Sequence, residues 1–189
     1  MNKTVGVLAL QGAYNKHIDL LHATGVSTRT VRRPHELDDC TALILPGGES
    51  TTISLLIQEY GLYEPIKTFA KSHPVMGVCA GMIMMATEVD DERITPLGLI
   101  PFKAVRNHYG RQVHSFTTDL KIGFGSNRNT FHAHFIRAPG IEELSPEIKV
   151  LATYNEEVVM IGAGNHMALS FHPELTNDTR IHDYWLRNI

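Results

Sequence analysis

Cysteine is scarce in this chain: its 189 residues include only Cys40 and Cys79. Two thiols cannot build a disulfide framework, and so few of them fit a reducing cytoplasm. A basic surplus is also missing, since 17 Lys and Arg stand against 20 Asp and Glu, a formal charge of -3. Without a basic stripe, nucleic-acid binding has little electrostatic support. No apolar run approaches the length of a membrane span, and Met1 to Ala9 lacks the layout of a secretion signal. Internal repeats, low-complexity tracts and linkers are absent as well. What is present is ordinary for a soluble globular protein, with 43% hydrophobic and 20% charged residues. The length suits one domain over residues 1–189, long enough to bury most of its apolar surface.

The first half reads as strands alternating with helices. Thr4 to Leu10 is a buried strand followed by a glycine turn. Ile18, Leu21 and His22 then fall at helical spacing until Gly25 stops the helix. Val26 to Arg33 is β-branched and alternating, a second strand. "CTALILPGGES" holds a third, ended by Pro46-Gly47-Gly48, and Ser50 or Thr51 is placed to cap the next helix. Gly61 breaks that helix before "YEPIKTFAKSH". "PVMGVC" is a fourth strand and "AGMIMMAT" a helix. Four strands alternating with helices argue for an α/β fold with a parallel sheet covered on both faces. From Pro96 onward the pattern turns to short strands separated by turns, expected to add strands to the sheet, some antiparallel. Helical periodicity returns in "DTRIHDYWLRNI".

Between strand and helix lies Gly77-Val78-Cys79-Ala80-Gly81, of the form Gly-x-Cys-x-Gly. That context matches a nucleophile elbow, a sharp turn presenting a reactive atom at the edge of a sheet. The glycines suit it because a side chain at either position would crowd neighbouring backbone. A helix N-terminus aimed at the sulfur favours thiolate. The alternative is a buried structural cysteine, which is how Cys40 reads at its strand start.

A nucleophilic thiolate needs a proton carrier and a group to orient it. "LSFHPELT" offers both. Pro173 biases His172 toward an extended backbone, and residues two apart in such a segment share a side, roughly 7 Å apart at Cα. Glu174 can then accept a hydrogen bond from one nitrogen of His172 and leave the other for the thiol. The apolar "MALSF" ahead of the pair would carry it to the sheet edge that holds Cys79. An anionic tetrahedral intermediate also needs backbone donors. The N–H of Ala80 supplies one, and Gly47 or Gly48 a second. Together these groups suggest acyl transfer through a thioester.

The set resembles the class I glutamine amidotransferases with their Cys–His–Glu triad. The blocks "GVLALQGA", "LPGGEST", "GVCAGMI", "RNHYGRQ", "FIRAP" and "SFHPELT" run in order from Gly6 to Thr176 and cover nearly the whole chain. In this they are similar to the glutaminase subunits of pyridoxal 5′-phosphate synthases. The resemblance implies a flavodoxin-like three-layer sandwich, mainly parallel with added antiparallel strands. It makes Cys79 the nucleophile, His172 the general base and acid, and Glu174 the orienting carboxylate. It places Gly47, Gly48 and Glu49 on the glutamine-binding loop, and Arg106, Ile136 and Arg137 at substrate-contacting positions. The implied partners are L-glutamine and a (β/α)₈ synthase subunit that receives ammonia in a hetero-oligomer. No cofactor is implied, because pyridoxal 5′-phosphate is a product of such a complex.

Some residues depart from the family pattern. His108 stands where a small residue is common, positioned to narrow the pocket rim or alter docking. Met82, Met84 and Met85 replace leucines, a volume-conserving core exchange. Other functions meet the same triad: the glutaminase subunit of imidazole glycerol phosphate synthase, or a cysteine peptidase or thiol stress protein on a similar sheet. Eleven histidines also raise a metal-binding reading, with His132 and His134 on one side of a strand and His114 or His166 joining them. No cysteine or carboxylate sits nearby at metal spacing, so ordinary strand histidines are expected and no metal.

Overall fold

Buried apolar runs, each closed by a glycine or proline turn, set the frame. The computed structural model describes residues 3–108, 115–124 and 130–188. The order begins β1 (Thr4–Leu8), α1 (Tyr14–Ala23), β2 (Ser27–Val31), β3 (Ala42–Leu45), α2 (Ser50–Glu59), α3 (Tyr63–Ala70), β4 (Val75–Val78) and α4 (Ala80–Met85). It continues with β5 (Ala86–Val89), β6 (Ile100–Val105), β7 (Ser115–Lys121), β8 (Thr130–Ile136), β9 (Gly140–Glu142), β10 (Lys149–Tyr154), β11 (Glu157–Ala163), β12 (His166–Leu169) and α5 (Arg180–Arg187).

Seven strands form the central sheet in the order β10-β11-β12-β4-β3-β1-β2. The pairings from β12 to β2 are parallel, and β10 and β11 add an antiparallel edge. Alternation along each strand divides the core. Leu43 and Leu45 of β3 join a cluster with Ile53, Ile57, Ile66 and Ile83, whereas Ala42 and Ile44 join one with Leu21, Phe131, Ile181 and Trp185. Both faces of the sheet are thus covered, which is why β3 and β4 are buried at every position. Each fully buried Leu or Ile contributes roughly 1.5–3 kcal/mol.

Several expectations are corrected in detail. The strands after Pro96 do not all join the main sheet. β5, β6 and β9 form a separate three-stranded sheet, and β7 and β8 a separate pair. The helix expected over "AGMIMMAT" ends at Met85, and Ala86 begins a strand. Ser50 is the first helical residue of α2 rather than its cap; Glu49 takes that position without a side-chain capping bond. On α1 the buried residues are His17, Leu20 and Leu21, so the inward face is rotated from the expected one and includes a histidine. Gly25 does stop α1, with φ +76 and its N–H on the His22 carbonyl. Tyr109 to Gln112, His114, and Gly125 to Asn129 lie outside the described residues. Among the described residues no helix is long and apolar enough to cross a membrane.

Candidate active site

The strand order reverses at β1, whose neighbours are β2 on one side and β3 on the other. In open α/β sheets the crevice outside the strand carboxyl ends at such a switch point is where ligands bind. The chain leaving β1 supplies Gly12 and Ala13, the chain leaving β3 supplies Gly47 to Ser50, and the chain leaving β4 supplies Cys79 and Ala80. All of them line one cavity of about 440 Å³.

Cys79 sits on the elbow in a strained conformation, φ +51 and ψ -105. Single residues persist in such regions only when the surroundings over-determine them. Here the Cys79 N–H is fixed on the Leu169 carbonyl at 2.8 Å, and the Cys79 carbonyl accepts from Ile83 N–H. A Cβ at Gly81 would run into the Leu45 carbonyl, and one at Gly77 would lie 2.6 Å from the Gly81 carbonyl oxygen. The turn is therefore tight for the reason its glycines imply. Met82, Met84 and Met85 on the helix that follows are fully buried, and Met85 Sδ lies against Gly77.

The register of β12 against β4 pairs Leu169 with Val78, so the two strands end side by side. That brings His172 over the elbow. Its backbone is not fully extended (φ -106, ψ 89), and Pro173–Leu175 forms a 3-10 turn, a tighter path than an extended segment. The turn still brings Glu174 to its partner: the Nδ1–H of His172 donates to Glu174 Oε1 at 2.7 Å. Both side chains are buried. Burial opposes a charged His172 ring, but hydrogen bonds to Cys79 and Glu174 and the charges of both outweigh it and raise the imidazole pKa to about 10. Burial alone would push the Glu174 carboxyl up; the hydrogen bond from His172 and the charge of that ring hold it below the usual carboxylate range. Cys79 Sγ also lies 3.8 Å from the Ile136 carbonyl oxygen.

The glycine loop packs as closely. A Cβ at Gly47 would strike the His172 ring, and one at Gly48 would strike the Gln11 amide. The Gln11 side-chain Oε1 accepts from Glu49 N–H at 2.9 Å, and the Gly47 carbonyl oxygen accepts from Ala13 N–H at 3.0 Å. The segment after β1 therefore props the loop. "LALQGA" marked that segment without revealing this task. Across the mouth, Arg106 Nη2 meets Glu49 Oε1 at 2.9 Å while Nη1 is bound to Asp91. Hydrogen bonds from Arg93 and Arg106 hold the Asp91 carboxyl well below the carboxylate range. Arg137 and Asn107 border the cavity with positive φ of 44 and 49.

Cys79, Ala80, His172, Gly47, Gly48, Glu49, Arg106, Ile136 and Arg137 thus converge on one cavity, with Glu174 behind His172. Sequence reasoning passed over Gly12, Ala13, Ser50, Ile83 and Asn107. Other residues fall elsewhere. His108 does not stand at the rim; it packs over Gly140, 3.0 Å from Glu157 and 3.9 Å from Glu142. Cys40 is buried away from the cavity, its thiol pushed up to about 11 by burial. His132 bonds Asp119 at 2.8 Å, while His166 Nδ1 accepts from Val75 N–H. Among the described residues no three His, Cys, Asp or Glu side chains are grouped to hold a metal ion.

Comparison with known proteins adds to this geometry. A family model described as the SNO glutamine amidotransferase family matches residues 7–189. Pyridoxal 5′-phosphate synthase subunit PdxT of Oenococcus oeni is 44% identical over 187 residues, covering 99% of this chain and 97% of that protein. The subunit of the same name from Moorella thermoacetica is 46% identical over 186 residues, with 98% of each covered. A crystal structure of a glutamine amidotransferase superposes with a TM-score of 0.91 at 41% identity, covering 97% of both chains. PurLQS from Thermotoga maritima shares the fold alone, at a TM-score of 0.69 and 16% identity, covering 100% of this chain and 98% of that one.

Proposed function

The chain belongs to the SNO glutamine amidotransferase family, and we propose that it hydrolyses L-glutamine through a Cys79 thioester and passes the ammonia to a pyridoxal 5′-phosphate synthase partner. The observation that carries the catalytic reading is the buried 2.7 Å contact of His172 with Glu174, set beside a thiol on a strained elbow. We take residues 1–189 as one glutaminase domain. Its central sheet runs from the first strand to the last, which supports that reading.

In the first half-reaction the Cys79 thiolate attacks the carboxamide carbon of the substrate side chain. The carbonyl oxygen becomes an oxyanion, for which the N–H of Ala80 and of Gly47 or Gly48 are the donors. The His172 imidazolium gives its proton to the amide nitrogen, the C–N bond breaks, and ammonia leaves a glutamyl thioester. Neutral His172 then takes a proton from water as the oxygen attacks the thioester carbon. The C–S bond breaks, glutamate departs, and the thiolate–imidazolium pair is restored. Glu174 keeps the ring oriented and stabilises its charge throughout, without itself being protonated. Arg106 and Glu49 at the mouth suit the α-carboxylate and α-ammonium of an amino acid.

The partner assignment rests on identity over nearly full length to subunits named for pyridoxal 5′-phosphate synthase. That favours a (β/α)₈ synthase of vitamin B6 formation over the synthase of another amidotransferase. Glutamate release from glutamine, measured for wild type and Cys79→Ala with and without the synthase, tests both halves. Low activity alone, stimulation by the partner and none in the variant are expected. Equal release by Cys79→Ala would sink the mechanism, and indifference to the synthase would sink the partnership.

A further inference from the structure

Behind Glu174 stands a second pair of histidines. His17, on the inward face of α1, and His182, on α5, are both fully buried. His17 Nε2 lies 3.6 Å from Glu174 Oε2, and His17 Nδ1 lies 3.1 Å from His182 Nε2. Among the described residues, the buried side-chain atoms without a hydrogen-bond partner are His17 Nε2, Glu174 Oε2, His182 Nδ1 and Trp185 Nε1. Two of these four face each other across one gap. An approach of about half an ångström would close it to hydrogen-bond length.

Which ring atoms carry hydrogen follows from elimination. Burial lowers the pKa of His17 despite the Glu174 charge, and it lowers that of His182 strongly, so both rings are neutral. A neutral imidazole has one N–H. On His17 Nδ1 it would leave the Nε2 lone pair facing the lone pairs of a carboxylate. On Nε2 it points at Glu174 Oε2, and Nδ1 is free to accept from His182 Nε2–H. His182 Nδ1 is then a bare lone pair rather than a stranded donor, the less costly of two buried omissions.

We propose that His17 is a positioning residue for the glutaminase reaction, its Nε2–H holding the second oxygen of Glu174 while His182 fixes its tautomer. This rests on the triad reading given above. Glu174 is then gripped at both oxygens, Oε1 by His172 and Oε2 by His17, and its plane is set. A fixed carboxylate keeps the His172 ring aligned with Cys79 as its proton moves. The titratable groups around this carboxylate are Cys79, His172, His17, His182 and, from β8, His134.

A glutamine amide reaches the place of an imidazole Nε2, whereas an asparagine amide reaches that of Nδ1. His17→Gln therefore keeps the donor to Glu174, and His17→Asn keeps only the side toward His182. We expect kcat to fall about 10- to 100-fold in His17→Asn and to stay within about threefold in His17→Gln, with KM for glutamine little changed in both. The pH profile of Cys79 alkylation by iodoacetamide, which needs no glutamine, should shift in the Asn variant and not in the Gln variant. Equal behaviour of the two variants overturns the proposal. Should neither variant fold, ¹⁵N NMR of the wild-type imidazoles decides. A neutral Nε2–H form is expected for both His17 and His182, and a charged or Nδ1–H His17 overturns the proposal. If wild type releases no glutamate the glutaminase reading fails, while the tautomers and the alkylation contrast still judge His17.

Discussion

His172 is where opposed influences meet: burial disfavours its charge, and Cys79 and Glu174 favour it more. The native ring therefore binds a proton to about pH 10 that the unfolded chain releases near 6.5. Stabilisation from this group is complete below about pH 6.5 and is lost as pH climbs through about 10. The urea midpoint of wild type relative to His172→Gln should decline across that window. NMR of the ring in wild type should show imidazolium persisting at pH 8. In Cys79→Ala the ring loses a hydrogen bond and a neighbouring charge, so it should titrate lower. A wild-type ring that deprotonates near pH 6.5 would contradict the ion-pair reading. The three residues proposed as the triad, Cys79, His172 and Glu174, were legible in sequence because each carries a chemical type and a local signature, Gly-x-Cys-x-Gly and His-Pro-Glu. His17 carried neither. The expected inward stripe of α1 held Ile18, Leu21 and His22, and it is the observed face of His17, Leu20 and Leu21 that turns His17 toward Glu174.

At the scale of elements, the elbow shows how packing enforces reactive geometry. Gly81 faces the Leu45 carbonyl so closely that no Cβ fits, and the obstacle is backbone rather than a movable side chain. Gly81→Ala must therefore displace α4 or β3. Overpacking of this kind costs about 1–3 kcal/mol, and a shift of about 1 Å at the thiol costs on the order of 100-fold in rate. Denaturant midpoints and glutamate release should both fall in Gly81→Ala, whereas Met84→Leu, a volume-conserving change in the same helix, should leave both nearly unchanged. A Gly81→Ala enzyme with wild-type kcat would show that the elbow is looser than its geometry. The parallel strands and the elbow were readable because buried apolar runs and glycine punctuation are local. The partition of the later strands among three sheets was not, since strand pairing depends on contacts distant in sequence. The 3-10 turn at Pro173–Leu175 escaped for a related reason. Proline restricts the residue before it, but the turn after it is settled by the burial of Glu174.

For the whole molecule, the site joins segments from both ends of the chain through the middle of the sheet. β12 lies between β11 and β4, so the antiparallel edge and the His172 loop attach to the parallel strands through one late element. The Cys79 N–H is held by Leu169, and the His172 N–H by His134 at 2.8 Å, which ties the β7–β8 pair to the same loop. The elbow amide should then open only when the sheet itself comes apart. Native-state hydrogen exchange tests this. The amides of Cys79 and of β3 and β4 should exchange with the free energy of global unfolding, and those of the edge strands β2 and β10 with less. Such a distribution would explain how a residue at φ +51 keeps its conformation through turnover, because relaxing it requires breaking the most protected part of the fold. If the Cys79 amide instead exchanges as readily as the edges, the elbow opens locally, and its strained geometry must be imposed by substrate or partner rather than by the sheet.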